Sequence, residues 1–91
     1  MQNLSLKKII DFSKAQLLQG SSNREINEIV IDSREVKKDY LFIAIVGENQ
    51  DGHQFLEQAA KNGAAAVIVD REIKGDFVEK HELADLKVDD T

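Results

Sequence analysis

Residues Tyr40 to Val46 read Tyr-Leu-Phe-Ile-Ala-Ile-Val, seven apolar positions without a break. A strand with one wet face alternates apolar and polar side chains, whereas an unbroken run belongs to a strand covered on both faces. Ala64-Ala65-Ala66-Val67-Ile68-Val69 is a second such run. Between the two, His53 to Asn62 sets Phe55, Leu56, Ala59 and Ala60 inward on a helix, and Asn62-Gly63 is a helix stop. Residues 40–69 thus read as strand, helix, strand, the size of a parallel crossover unit, for which a right-handed connection is the rule. The fold class that follows is α/β: a small layered domain with a mixed, largely parallel central sheet flanked by helices.

The flanking segments are less constrained. Ser5 suits a helix N-cap, and Leu6, Ile9, Ile10 and Phe12 begin an apolar face that Leu17 and Leu18 extend toward a stop at Gly20. The β-branched stretch from Ile26 to Ile31 predicts a strand. Phe77-Val78 is a short apolar patch, and Leu83, Leu86 and Val88 suggest a last edge strand. The sequence then stops at Val88-Asp89-Asp90-Thr91 with no closing helix, the pattern expected of a piece of something longer.

Composition narrows the function classes. With 91 residues the sequence has room for one domain. The absence of Cys rules out a disulfide framework, cysteine-ligated metal and a thiol nucleophile. A net charge of −5 argues against a nonspecific nucleic-acid partner, which needs a basic face to displace counterions. No apolar run nears the ~20 residues that span a bilayer, so no membrane partner is expected, and Met1 to Ile10 lacks the long apolar stretch of a secretory signal; the lack of Cys is compatible with the cytoplasm.

Catalytic signatures are missing. There is no G-x-x-x-x-G-K-[ST] phosphate loop, no G-x-G-x-x-G fingerprint and no G-x-S-x-G elbow. His53 and His81 are the only histidines and lack the companions of a zinc site; local hydrogen bonding at a helix start is the simpler role for His53. Two loops carry more. Asp32-Ser33-Arg34 follows a strand, at the carboxyl edge where open α/β sheets bind ligands. Ser donates or accepts a hydrogen bond, and Arg presents a planar fork for phosphate or carboxylate. The alternative is an ordinary turn with a surface ion pair. Gly47-Glu48-Asn49-Gln50-Asp51-Gly52 follows the Tyr40–Val46 strand and opens the next helix, so its amides suit an anionic or polar ligand, the alternative being a plain connection. If the two strands are neighbours, both loops line one crevice.

The order of these motifs is distinctive: Asp32-Ser33-Arg34, Leu41-Phe42-Ile43-Ala44, Gly47 to Asp51-Gly52-His53-x-Phe55, then Ala59 to Asn62-Gly63-Ala64-x-Ala66-Val67. The series resembles the N-terminal domain of the Mur ligases, the cytoplasmic enzymes that build the peptidoglycan stem peptide, which implies a cytoplasmic location. It is most similar to two later members, one adding D-alanyl-D-alanine to UDP-N-acetylmuramoyl-tripeptide and one adding the third residue, a diamino acid. Leu86 to Thr91 leans toward the first. The resemblance implies a single UDP-binding domain over residues 1–91, its partners being UDP-N-acetylmuramoyl-peptide and the family's central and C-terminal domains. ATP and Mg2+ are implied for the parent, with no cofactor, metal or catalytic residue in these 91 positions.

By the same resemblance, Ser33 is a uridine contact and Ile31 a wall for the uracil. Glu48, Asn49 and Gln50 match the loop touching the nucleotide in the diamino-acid-adding members, where the two amides can read a uracil edge. Arg34 either orients its loop or meets phosphate. Gly47, Asp51, Gly52 and His53 shape the loop and the helix start. The sequence departs from the family's usual Pro-Gly-Asp before Leu-Phe, having Lys38-Asp39-Tyr40 instead, where Asp must take the left-handed turn. Two other classes stay open: a stand-alone sensing or interaction module, similar in fold to the non-catalytic N-terminal domain of bacterial HPr kinase, and a hydrolase or metal enzyme within these residues.

Overall fold

A computed structural model describes residues 4–45, 52–71, 73 and 77–89. Strand β1 (Leu4–Ser5) leads into helix α1 (Leu6–Ser13). The helix stops well short of Gly20. Lys14 turns left-handed at φ 58°, and Ser13 Oγ donates to the Ile9 carbonyl at 2.7 Å while accepting the Ala15 amide at 3.3 Å. Gln16–Gln19 leave as strand β2, so Leu17 and Leu18 extend no helix. Ser5 holds the N-cap position without a side-chain cap; the Leu6 amide donates to the Arg24 carbonyl at 2.9 Å. Phe12 is not part of the buried face but 93% exposed. At about 100° per residue it falls off the arc shared by Leu6, Ile9 and Ile10.

The strand expected at Ile26–Ile31 is two strands. β3 (Glu25–Ile26) pairs antiparallel with β1, and β4 (Glu28–Val30) pairs parallel with β5 (Tyr40–Ile43). Asn27 makes the switch: its amide donates to the Asp39 carbonyl at 2.9 Å and its Nδ2 to the Lys38 carbonyl at 3.3 Å. Asp39 stands at φ +66°, the left-handed turn expected where the family usually has Gly.

A 3₁₀ turn, Gly52–Phe55, continues into α2 (Leu56–Lys61), which ends at Asn62 and Gly63. Then come β6 (Ala66–Val69), a one-turn helix α3 (Phe77–Lys80) and β7 (Ala84–Lys87). The five-stranded sheet runs β2-β7-β6-β5-β4, parallel except for β2 against β7. β7 is therefore an interior strand and not the expected edge; the early end of α1 frees β2 to cover it.

Period-two alternation splits each apolar run between two cores. Phe42, Ala44, Val67 and Val69 join Leu56, Ala59, Ala60 and Val78 on one face. Leu41, Ala66 and Ile68 join Leu6, Ile26 and Leu86 on the other. Arg24 ties strand beginnings together, donating from Nη1 to the Glu82 carbonyl at 2.6 Å and the Ala65 carbonyl at 3.4 Å.

Leu6→Ala should lower unfolding free energy by roughly 2–5 kcal/mol, because Leu6 is fully buried. Phe12→Ser should change it by no more than about 0.5 kcal/mol. Urea denaturation of both variants checks this; a comparable loss from Phe12→Ser would put Phe12 in the core.

Candidate functional site

β4 and β5 are parallel neighbours, so the segments leaving their carboxyl ends emerge side by side. Between them lies a cavity of about 490 Å³, lined by Ile31, Asp32, Ser33, Arg34, Ile45, Gly52, Phe55 and Gln58. The Asp32-Ser33-Arg34 turn and Gly52, the described end of the second loop, thus meet at one crevice.

The first wall is a capped turn. Asp32 is extended, and its Oδ1 accepts the Arg34 amide at 2.9 Å, starting the 3₁₀ turn Ser33–Glu35. The Arg34 guanidinium folds back on the same carboxylate, with Nη2 to Oδ2 at 2.7 Å and Nε to Oδ1 at 3.0 Å. That fork and the Arg34 amide hold the Asp32 carboxyl at about 2, below its ordinary 3.8. Arg34 is 82% exposed, so the pair sets the turn from the solvent side. Ser33 is 6% exposed. Its carbonyl accepts Asn62 Nδ2 at 3.2 Å, which fixes the turn against the end of α2. Its side chain lines the cavity, and no other described residue takes up its hydroxyl. Ile31, just before the turn, is 64% exposed at the mouth.

The second wall starts at Gly52. Its amide donates to the Ile45 carbonyl at 2.8 Å, and a Cβ there would stand 2.7 Å from the Ile45 nitrogen. Only glycine permits that approach. His53 is 8% exposed at its side chain, with Nε2 3.2 Å from the Asp70 amide and 3.0 Å from Asp70 Oδ1. It therefore bonds across the crossover unit, pinning the 3₁₀ turn to the end of β6. A neutral ring accepts the amide through Nε2, and a protonated one donates to the carboxylate. Gly47, Glu48, Asn49, Gln50 and Asp51 lie outside the described residues.

Ile45, Phe55 and Gln58 also line the cavity without a sequence signal that marks them as site residues. Phe55 reads from sequence as core, and it does pack against the core from a half-buried position. Ile45 reads as the end of a buried strand, and an isolated helical Gln carries no sequence signal. A larger cavity of about 840 Å³ sits at the opposite edge, beside Gly20, Arg24 and Leu83. There Arg24 is engaged by two carbonyls and faces Asp39 Oδ1 at 4.0 Å, so its charge serves the fold.

The sequence carries no G-x-x-x-x-G-K-[ST] phosphate loop, and among the described residues no group of three or more His, Cys, Asp or Glu is placed for a metal ion. Among the described residues no helix is long and apolar enough to cross a membrane.

Because its folded pKa is depressed, the contribution of Asp32 to stability is complete above pH 3.8 and is lost as pH falls from 3.8 toward about 2. Carboxyl NMR should place the Asp32 midpoint near 2, and Arg34→Ala should move it up toward 3.8. A midpoint indifferent to that substitution would remove the Arg34 fork as the cause.

Comparison with known proteins agrees with the geometry. The profile of the "Mur ligase family, catalytic domain" matches residues 25–88. UDP-N-acetylmuramoyl-L-alanyl-D-glutamate–2,6-diaminopimelate ligase 2 of Clostridium acetobutylicum is 38% identical over 84 residues, covering 92% of this chain and 17% of the relative. The corresponding ligase of Bacillus velezensis is 39% identical over 74 residues, covering 80% of this chain and 15% of the relative. Among solved structures, MurF from Acinetobacter baumannii superposes over 100% of this chain and 19% of its own, with TM-score 0.83 and 29% identity. The chain thus spans less than a fifth of the length of these relatives, and both ligase types that its motifs resemble are among them. With the profile covering most of its length, the chain belongs to the Mur ligase family.

Proposed function

We propose that this chain is the domain that holds the UDP end of UDP-N-acetylmuramoyl-peptide in a peptidoglycan-precursor ligase. Central and C-terminal domains of the parent would carry out the ATP-dependent amide-bond formation. The observation that carries this reading is the convergence of the Asp32-Ser33-Arg34 turn and the Gly52 helix start on one cavity, at the carboxyl edge where α/β sheets bind ligands. In this reading Ile31 is an apolar wall for the uracil and the Ser33 hydroxyl bonds the uridine. The Arg34 fork on the Asp32 carboxylate supports a loop-orienting role for Arg34 over a phosphate contact. Glu48, Asn49 and Gln50 join the site by resemblance alone.

Two parents share this role. The stretch from Leu86 to Thr91 supports the D-alanyl-D-alanine-adding ligase. The sequence relatives named as 2,6-diaminopimelate ligases support the diamino-acid-adding one. The amine that the parent accepts, D-alanyl-D-alanine or a diamino acid, separates them.

An amide-resolved NMR titration with UDP-N-acetylmuramoyl-tripeptide tests the shared role. Two or three hydrogen bonds at ~1 kcal/mol each, with uracil packing, predict binding near the millimolar range. Shifts should cluster at residues 31–34 and at Gly52 and Phe55, with none for ATP. Ser33→Ala should weaken binding about fivefold, the equivalent of one hydrogen bond of ~1 kcal/mol. Silence at several millimolar, or an equal response to ATP, would overturn the nucleotide role and bring the sensing-module reading forward.

A further inference from the structure

We infer that Gln58 is a specificity-determining residue that reads the hydrogen-bonding edge of the pyrimidine base; the inference rests on the nucleotide-holding role proposed above. Among the described residues, the polar side chains that line the cavity are Asp32, Ser33, Arg34 and Gln58. Asp32 and Arg34 satisfy one another through a two-pronged contact. That leaves the Ser33 hydroxyl and the Gln58 carboxamide. Gln58 lies on α2 three residues after Phe55, so the two share a helix face one turn apart, and both line the cavity. No other described residue hydrogen-bonds the Gln58 carboxamide, and its side chain is exposed on the cavity side of the helix.

The surroundings suit a flat, neutral base. Ile31 and Ile45 are both unusually exposed for isoleucine, and with Phe55 they give the cavity apolar flanks. A base set between such flanks buries its faces and leaves only its edge to be satisfied. Uracil presents a carbonyl, an N–H and a second carbonyl along that edge. A carboxamide is an acceptor and a donor side by side, so Oε1 can accept from N3–H while Nε2 donates to the adjacent carbonyl. A carboxylate or an ammonium at the same place would satisfy only one half of that pair.

The test is a cycle of two ligands and two proteins. Uridine diphosphate and its N3-methyl derivative are titrated into the chain and into Gln58→Leu, with amide shifts as the readout. Methylation removes the donor that Gln58 is argued to read and leaves the sugar and phosphates unchanged. The unsubstituted chain should prefer uridine diphosphate about fivefold or more, the loss expected for one hydrogen bond. In Gln58→Leu that preference should vanish, with the spectrum otherwise unchanged because position 58 is exposed. If Gln58→Leu keeps the preference, or if the unsubstituted chain shows none, the base-edge role falls while the nucleotide reading stands. If the unsubstituted chain binds neither ligand, the nucleotide reading falls and takes this one with it.

Discussion

The structure depends on the burial of β5 and β6 on both faces. Each run is apolar at every position, so period-two geometry sends half its side chains to each side of the sheet. Phe42 and Val67 point into one core while Leu41 and Ile68 point into the other. Neither core can form without a cover: α2 and α3 supply one, and α1 with the β1–β3 ribbon supplies the other. The position of the site follows from this: β4 runs parallel beside the buried β5 at the sheet's edge, so the segments that leave their carboxyl ends emerge together.

This central unit was legible in the sequence because its signals were local and redundant. Two unbroken apolar runs, an inward helical stripe and the Asn62-Gly63 stop all agreed. The flanks misled where tertiary pairing overrode local pattern. Leu17 and Leu18 continue a helical periodicity, yet β7 needs a partner and β2 supplies it. Phe12 is apolar and close to the stripe, and only its helical angle, off the arc of Leu6, Ile9 and Ile10, marks it as facing water. The break at Asn27 is set by carbonyls of Lys38 and Asp39, which no window around residue 27 contains.

The candidate site was legible in part for the same reason. Asp32-Ser33-Arg34 is a turn with a sequence signature, and its self-contained pairing could be anticipated from residue types. The contribution of α2 to the opposite wall could not, since Phe55 and Gln58 acquire meaning only once the crossover folds them over the Ser33 turn. The His53 contact with Asp70 is similar: 17 residues separate the partners, and the sheet brings them together. Among the described residues the site is electrostatically quiet. The charges of Asp32 and Arg34 cancel at its rim, which leaves apolar flanks and neutral hydrogen-bonding groups on these walls.

The interior placement of β7 has a consequence for how the chain is made. Residues 84–87 pair with residues 16–19 on one side and with 66–69 on the other, so the sheet cannot close until residues 84–87 are available. Long-range pairing of this kind slows folding. Until the last strand leaves the ribosome, the apolar edge of Ala66–Val69 is an open template for pairing with another chain. Synthesis is thus the stage at which this domain is most exposed to misassembly, and the arrival of residues 84–87 ends that exposure.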